Sequence, residues 1–329
     1  MHRAERGYDE RMGAESRSRS GCPLCESEHR SFVLKKRSPI PAMPTLEVLR
    51  CQDCDHCYLG RWRETLQLGL YDYYADRLGR SREQLYLPLN TRSYESMLAG
   101  LEGEVRGRRL LDVGCGMGHL VYVAQARGWD ALGIDTSGAA VRLARELGAQ
   151  AIERDFFSDE LSDARFDAVV LSELIEHVPD PGRFLRRAAM LLAPGGTLYL
   201  TTPNFDSLTR RLVGSAWSPI HPEHISYFVE SRLRRALVDA GLRVKSLTSR
   251  NTSPVEIFRA LAKRSQRVAA PTATAPTPRN PAAPAAPNPT QALRQLVMGS
   301  ASLRGLHQVA NRGLGATCLG DTLVAYATR

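Results

Sequence analysis

The sequence contains no long apolar run. No stretch of its 329 residues approaches the ~18–20 consecutive apolar residues that a membrane-spanning helix needs. Residues 1–20 mix Arg, Glu, Asp and Ser without an apolar core, which excludes a secretory signal peptide and predicts a disordered tail. We therefore expect a cytoplasmic protein with no membrane span.

Lysine is scarce: it stands only at positions 35, 36, 245 and 263, although Lys and Arg together number 44 and the formal net charge is +9. The arginines are spread over every segment without a basic stripe interleaved with aromatic residues, so no nucleic-acid partner is expected. An arginine-rich, solvated surface accounts for the charge, which is also compatible with a small anionic substrate such as a nucleotide sugar. The oligomeric state does not follow from the sequence.

Cysteine is concentrated in one short region. Five of the seven cysteines precede residue 58, and two pairs of them have the C-x-x-C spacing. Two thiolates three positions apart on a tight turn can bind one Zn²⁺, and a second such turn completes a tetrahedron. With four protein ligands and no open position, the ion would be structural. The predicted ligands of this zinc ribbon over residues 21–62 are Cys22, Cys25, Cys51 and Cys54, and Cys57 or His56 could replace Cys54.

The rest of the chain divides by pattern into a connector, a catalytic-sized domain and a linker. Residues 63–105 are rich in aromatic residues and are predicted to be helical, and Tyr71, Tyr73 and Tyr74 are expected either to cap a ligand or to pack together. Residues 265–291 are rich in Pro and Ala, which predicts an exposed linker. Residues 106–264 and 292–329 alternate short apolar runs with amphipathic stretches, which predicts an α/β domain with a parallel sheet and crossover helices.

The same alternation predicts the boundaries of the strands and helices. Strands are predicted at 109–113, 131–135, 150–154, 166–171, 197–201, 242–248 and 323–327. Helices are predicted at 92–101, 120–127, 138–147, 182–192, 231–240 and around 291–309. Ser231 is expected to cap the helix that it begins.

A glycine-rich turn, VGCGMG, follows the first strand. Glycines let the backbone pass close to a ligand, and open α/β sheets bind ligands at this end of their strands. The G-x-G-x-G spacing differs from the G-x-G-x-x-G of dinucleotide sites. Asp112 is positioned to hold a cationic amino group, and Asp135, which ends the second strand, to accept the hydroxyls of a ribose. Asp155 is either an adenine contact or a solvated loop acid.

Five segments in order carry a family resemblance: DVGCGMG, GIDTS, FDAVVLSELIEHVPDP, LLAPGGTLYLTTPN and GDTLVAYA. They resemble the class I S-adenosylmethionine (SAM) dependent methyltransferases that act on small molecules. The resemblance implies a Rossmann-like seven-stranded sheet with an antiparallel last strand, and SAM as the cofactor. His177 is interpreted as a structural residue. The candidate SAM-binding residues are Asp112, Gly114, Cys115, Gly116, Gly118, Asp135, Thr136, Asp155, Phe156 and Glu173.

A zinc ribbon ahead of such a sheet is similar to sugar-modifying and natural-product methyltransferases. In one such group, the nucleotide-sugar C-methyltransferases, the ribbon occupies this place. This sequence departs from that group at its C-terminus, where the additional domain of those proteins is lacking.

Residues 217–228, WSPIHPEHISYF, lie between the fifth strand and its following helix, over the expected mouth of the site. Their E-H-x-x-Y string resembles the catalytic region of the sugar C-methyltransferases. Methyl transfer to a hydroxyl requires removal of its proton, a task that suits a histidine. His224 is the candidate general base, Glu223 and His221 are auxiliary groups, and Tyr227 is a candidate substrate-pocket residue. Alternatively, His224 only ties the loop to the sheet by hydrogen bonds.

Together these features predict SAM-dependent methyl transfer to a hydroxyl of a small molecule, a sugar or glycosylated metabolite. An alternative enzyme is a C-methyltransferase for a nucleotide-linked deoxy keto sugar. Alternatives of other classes are a catalytically silent SAM-binding scaffold and an NAD-dependent oxidoreductase. A nucleic-acid methyltransferase is disfavoured, because residues 172–175 read SELI instead of a D/N-P-P-Y/F string.

Overall fold

The computed structural model describes residues 21–38, 45–60, 91–253, 256–257 and 317–329. Several predictions therefore lie outside the described residues: the tail at 1–20, most of the connector, the linker at 265–291 and the helix around 291–309. The tyrosines at 71, 73 and 74 also lie outside them. No helix within the described ranges is long and apolar enough to cross a membrane.

The predicted α/β fold with a seven-stranded sheet is confirmed. Its strands are β4 (Arg109–Val113), β5 (Asp130–Asp135), β6 (Ala151–Glu153), β7 (Phe166–Ser172), β8 (Leu192–Pro203), β10 (Arg243–Arg250) and β11 (Thr322–Thr328). The strand order is β10-β11-β8-β7-β4-β5-β6, and β11 runs antiparallel to both of its neighbours, β8 and β10.

Helices cover both faces of this sheet, because its central strands are apolar on both sides. The helices are α1 (Thr91–Glu104), α2 (His119–Ala126), α3 (Gly138–Leu147), α4 (Pro181–Leu191), α5 (Leu208–Val213) and α6 (Glu230–Asp239). One apolar core lies between the sheet and α1, α2 and α3, and a second lies between the sheet and α4 and α6.

Two predictions are wrong: the start of the fifth strand and the cap of the helix that follows the histidines. The fifth strand of the domain, β8, begins at Leu192, directly after α4, and so includes the Pro-Gly-Gly stretch that precedes the predicted start at Thr197. Helix α6 begins at Glu230, and its N-cap residue, Val229, makes no side-chain capping bond. Ser231 therefore lies inside the first turn of α6 and does not cap it.

A second, four-stranded antiparallel sheet contains the cysteine region. Its order is β1-β2-β3-β9, with β1 (Arg30–Arg37), β2 (Thr45–Cys51), β3 (Cys57–Leu59) and β9 (Ser226–Tyr227). We call residues 21–38 and 45–60 the ribbon. The strand β9 comes from the segment between β8 and α6, so one sheet joins the ribbon to the catalytic domain. A shared apolar cluster of ribbon and catalytic-domain residues lies beneath this junction.

Candidate active site

A cavity of about 180 Å³ opens at the carboxyl ends of β4 and β7. Its floor is the glycine-rich turn after β4, as the sequence predicts for a ligand site. Tyr94 of α1 also faces the cavity, although the sequence gives no signal for it beyond a position in a helix. The lining residues are Tyr94, Asp112, Gly114, Cys115, Met117, His119, Leu120 and Ser172.

Two glycines of the turn differ in what surrounds them. Both have left-handed backbones, with φ of +51° at Gly116 and +74° at Gly118. A Cβ on Gly118 would lie 2.7 Å from the Cβ of Ala144, so Gly118 allows α2 and α3 to pack closely. A Cβ on Gly116 would meet nothing within 4 Å. The space in front of Gly116 is therefore open to a ligand that approaches the backbone.

Asp135 connects this turn to the next one. Its Oδ2 accepts a hydrogen bond from the amide of Gly116 at 2.9 Å, and its Oδ1 accepts one from the amide of Ser137 at 2.8 Å. Ser137 in turn caps α3 through Ala140, whose amide donates to the Ser137 hydroxyl at 3.2 Å. The carboxylate is buried but keeps further lone pairs, which suits it to accept ribose hydroxyls.

Asp112 is a buried acid on the wall of the cavity. Burial first, and then the nearby charge of Asp135, raise the pKa of Asp112 to about 8. A cationic group that entered the cavity beside Asp112 would favour the ionised carboxylate and would be held by it. This is the property that the sequence assigned to Asp112.

Seven of the ten predicted cofactor residues are not among those that line the described cavity: Gly116, Gly118, Asp135, Thr136, Asp155, Phe156 and Glu173. Asp155 is exposed, and its Oδ1 accepts the amide of Phe157 at 2.7 Å, as in a loop turn. The ring of Phe156 is buried and lies 5.4 Å from that of Phe184. Thr136 and Glu173 are both exposed. Glu173 follows β7 with a φ of +51°, which directs the chain out of the sheet edge.

Three histidine rings cluster beside this edge. We call residues 217–228 the histidine segment; it carries His221 and His224, and His177 belongs to the loop after β7. The rings of His177 and His224 are edge to face with centroids 4.7 Å apart, and that of His221 lies 6.2 Å from His224. Nδ1 of His177 donates to the backbone carbonyl of Glu223 at 3.1 Å. This bond attaches the loop after β7 to the histidine segment, in agreement with a structural role for His177.

His224 has one ring nitrogen engaged and one without a partner. The ring hydrogen-bonds the backbone of Pro219, whereas the buried Nδ1 has no hydrogen-bond partner among the described residues. Nδ1 is therefore the ring nitrogen that has no partner among the described residues. Burial, followed by the charges of His177 and His221, lowers the pKa of His224 well below its usual value. The imidazole is neutral at neutral pH.

Glu176, for which no motif predicts a role of its own, lies close to the ring of His224. Its Oε2 accepts the hydroxyl of Thr202 at 3.0 Å, and its buried Oε1 has no hydrogen-bond partner in the described ranges. One carboxylate oxygen of Glu176 and one nitrogen each of His177 and His224 lie within 4.8 Å of one another. Burial raises the pKa of Glu176 well above its usual value. The only sequence signal was its place in the E-H-V string.

The other predicted catalytic residues divide between the surface and the core. Nδ1 of His221 lies 3.6 Å from Oε2 of Glu223, and both side chains are partly exposed. Tyr227 is fully buried, and its ring lies 5.3 Å from that of Phe205 in the apolar cluster beneath the ribbon. Tyr227 does not line the described cavity. His221, Glu223 and His224 are therefore together, outside the lining of the described cavity, and the Tyr227 hydroxyl lies near the backbone of His221.

The four predicted zinc-binding cysteines converge. Their sulfurs lie within 4.8 Å of one another, with 3.5 Å between Cys22 and Cys54 and 3.5 Å between Cys25 and Cys51. Four thiolates ~2.3 Å from one tetrahedral Zn²⁺ would be roughly 3.8 Å apart, so the donor set fits zinc. His56 is buried outside this cluster, with its ring 4.9 Å from that of Phe228.

Comparison with known proteins assigns the family. Residues 82–247 match a methyltransferase-domain family. A ubiquinone biosynthesis O-methyltransferase of Alkalilimnicola ehrlichii is 41% identical over 124 residues, 36% of this chain and 49% of that protein. The chain thus spans about half the length of that relative. The enzyme of the same name from Bordetella avium is 31% identical over 169 residues, 47% of this chain and 70% of that protein.

A crystal structure of a SAM-dependent methyltransferase from Archaeoglobus fulgidus aligns with 72% of this chain and 93% of its own, with 18% identity and a TM-score of 0.45. Together, the glycine turn, the buried acids Asp112 and Asp135 and the matched domain lead to one assignment. The chain belongs to the class I SAM-dependent methyltransferases.

Proposed function

We propose that this enzyme transfers the methyl group of SAM to a hydroxyl of a small molecule, a sugar or glycosylated metabolite, with His224 as the general base. The observation that carries the proposal is the state of the His224 ring, which is neutral and has an unpartnered Nδ1. A neutral imidazole can take the hydroxyl proton as the oxygen attacks. The curated relatives are O-methyltransferases by name, which supports oxygen as the acceptor atom.

The neighbours of His224 support this role. Since Nδ1 has no partner among the described residues, it is the ring nitrogen that would take the proton. His221 and Glu223 would act as auxiliary groups at the more exposed side of the ring. Tyr227 would support the pocket from beneath, because its ring is packed in the core.

For the cofactor we propose a set of contacts along the edge of the sheet. SAM supplies an activated methyl group on its sulfonium. Asp112 would bind the amino group, since that buried acid gains from a cationic partner. The turn at Gly114, Cys115, Gly116 and Gly118 would pass under the methionine part. Asp135 and Thr136 would bind the ribose, Asp155 and Phe156 would flank the adenine, and Glu173 would lie near the cofactor.

We also propose that Cys22, Cys25, Cys51 and Cys54 bind a structural Zn²⁺. Their four sulfurs, within 4.8 Å of one another, support a closed tetrahedral site with no open position. Such an ion would stabilise the ribbon because it links its two turns, Cys22–Cys25 and Cys51–Cys54.

The test uses zinc-loaded full-length protein and a panel of acceptors: free and nucleotide-linked sugars, glycosides and aromatic diols. Formation of S-adenosylhomocysteine and the mass of the product identify the acceptor. With that acceptor, His224→Gln should bind SAM normally, because its change lies outside the cavity, and turnover should fall by about 100-fold. Undiminished turnover in His224→Gln would exclude His224 as the base. A methyl group found on carbon would replace O-methylation by C-methylation.

A second acceptor class is favoured by the names of the relatives. Both are enzymes of ubiquinone biosynthesis, which makes a ring hydroxyl of a quinone precursor the competing candidate. Turnover of aromatic diols without turnover of sugars would decide for it.

A further inference from the structure

The histidine segment is held by the ribbon at both of its ends. We propose that Lys36 of the ribbon is a positioning residue of the methyl-transfer site: it fixes the start of the histidine segment, while β3 fixes its end. The inference rests on the proposed function of this segment. It gives the ribbon a part in the reaction, because the arrangement of His221 and His224 then depends on a residue of another module.

The first attachment is at Trp217. The half-buried Lys36 extends from β1, and its Nζ donates to the backbone carbonyl of Trp217 at 2.7 Å. Trp217 itself is 1% exposed and lies in the apolar cluster between ribbon and catalytic domain. The next residue, Ser218, donates its amide to Oε1 of Glu256 at 2.5 Å. The start of the histidine segment is therefore bound to groups that are remote in sequence.

The second attachment directly follows His224. The amide of Leu59 in β3 donates to the carbonyl of Ile225 at 2.8 Å, and the amide of Ile225 donates to the carbonyl of Glu176 at 2.7 Å. Beyond Ile225, β9 pairs with β3, with Tyr227 opposite Cys57. Ile225 thus bonds to the ribbon on one side and to the loop after β7 on the other.

The chain between these two attachments is short, and it carries the proposed reactive side chains. His221, Glu223 and His224 all fall between Trp217 and Ile225 in the chain. Burial is the main reason why the pKa values of His221 and His224 are lowered, and the charge of Lys36 lowers both further. Lys36 therefore acts on the site in two ways, through the backbone position of Trp217 and through its charge. A displacement of about 1 Å at a catalytic group can cost a large part of the rate.

The chain offers a matched control on the same strand. Lys35 precedes Lys36, points to the other face of the ribbon sheet and pairs with Glu47 at 3.4 Å, and its side chain is 59% exposed. Lys35→Met removes the same charge from the same strand without touching the histidine segment. Lys36→Met removes the hydrogen-bond donor and the positive charge at the proposed position. Lys36→Arg keeps a donor and a positive charge there.

The experiment uses full-length, zinc-loaded protein and the acceptor on which turnover is observed. We expect Lys36→Met to keep its zinc content, its affinity for SAM and its KM for the acceptor, while kcat falls about tenfold to 100-fold. Lys36→Arg should recover a large part of kcat, and Lys35→Met should match the wild type. A kcat within twofold of wild type in Lys36→Met would overturn the proposal. An equal loss in Lys35→Met would also overturn it, because the effect would then belong to the ribbon as a whole.

A second readout needs no turnover. The chain has three tryptophans, so protein labelled with 5-fluorotryptophan gives separate ¹⁹F signals, and Trp217→Phe assigns that of Trp217. In Lys36→Met the Trp217 signal should shift or broaden and the others should not; an unchanged Trp217 signal would contradict the proposal. This measurement separates the two hypotheses. Full turnover in His224→Gln would remove the base, whereas the Trp217 signal and the kcat of Lys36→Met would still decide the role of Lys36.

Discussion

The carboxylate of Asp135 accepts the backbone amide of Gly116 at 2.9 Å. One acid thus holds the glycine turn in place and keeps further lone pairs that could accept hydrogen bonds from a ligand. The shape of the glycine turn and the binding of a ligand therefore depend on the same side chain. A substitution can measure how strongly each depends on it.

Replacement of Asp135 should weaken cofactor binding more than it weakens the fold. In Asp135→Asn the charge and one acceptor are lost, which should cost about 1–3 kcal/mol of binding free energy, roughly a tenfold to 100-fold rise in Kd. Calorimetry with S-adenosylhomocysteine measures this. Asp130→Asn is the control, because Asp130 begins the same strand with a 70% exposed side chain. Equal Kd values for both variants would contradict the assignment of Asp135.

The ligand-free enzyme should lose stability as the pH rises, because of Asp112. Its pKa is about 8 in the folded protein, against 3.8 for an unperturbed aspartate. Between these values the folded protein binds more protons at this site than the unfolded chain, so the free energy of unfolding falls with rising pH. Asp112→Asn removes this contribution. Its Tm should therefore rise relative to wild type from pH 5 to pH 8, while SAM binding is lost.

Thermal melts of both proteins across that pH range check the prediction, with the wild type also melted in saturating S-adenosylhomocysteine. The ligand's ammonium favours the ionised carboxylate, so the bound wild type should show a flatter pH dependence. A Tm difference between variant and wild type that stays constant with pH would count against a raised pKa of Asp112.

Two glycine substitutions should separate loss of stability from loss of cofactor affinity. Gly118→Ala places a Cβ 2.7 Å from that of Ala144 at a φ of +74°, so it should lower the free energy of unfolding by about 1–3 kcal/mol. Gly116→Ala meets no protein atom within 4 Å, so its cost should be limited to about 1 kcal/mol of backbone strain. Cofactor affinity should nevertheless fall sharply in Gly116→Ala. Urea unfolding and calorimetry on the two variants provide the comparison, and normal cofactor affinity in Gly116→Ala would show that the ligand does not approach there.

The identity of the fourth zinc ligand can be tested by comparing single substitutions of Cys54, Cys57 and His56. Cys54 belongs to the four-sulfur cluster, whereas Cys57 lies in β3 outside it. Cys54→Ser should bind less than one equivalent of zinc after dialysis and should melt at a lower temperature. Cys57→Ala and His56→Gln should keep one equivalent, as measured by elemental analysis. Zinc loss in Cys57→Ala with retention in Cys54→Ser would reverse the assignment.

Most of the central sheet could be predicted from sequence because its signals are local. The apolar run Arg109–Val113 and the amphipathic helix Gly138–Leu147 have the boundaries that their patterns predict. The glycine turn and its acids lie within a few residues of each other in the chain, and so do the members of each C-x-x-C pair. Such features depend on neighbours in sequence, and patterns of two to four residues reveal them.

The features that were missed depend on contacts between distant segments. β9 has two residues, too few for an alternating pattern, and it forms only because β3 supplies a partner. Tyr94 and Glu176 face the site because of the packing of α1 and the turn after β7, which no motif encodes. Tyr227 carries a hydroxyl that suggests a pocket, but the register with Cys57 directs it into the core. In these cases tertiary packing overrides the local signal.

The shared β3–β9 edge also constrains how the chain is synthesised and folded. The ribbon leaves the ribosome before the catalytic domain does. Its strand β3 then has one unpaired edge beside an apolar surface until Ser226 and Tyr227 have been translated. Unpaired edges of this kind associate readily with other strands. Nascent chains halted before β9 should therefore be the aggregation-prone species, and release of the second half of the catalytic domain should end that vulnerability.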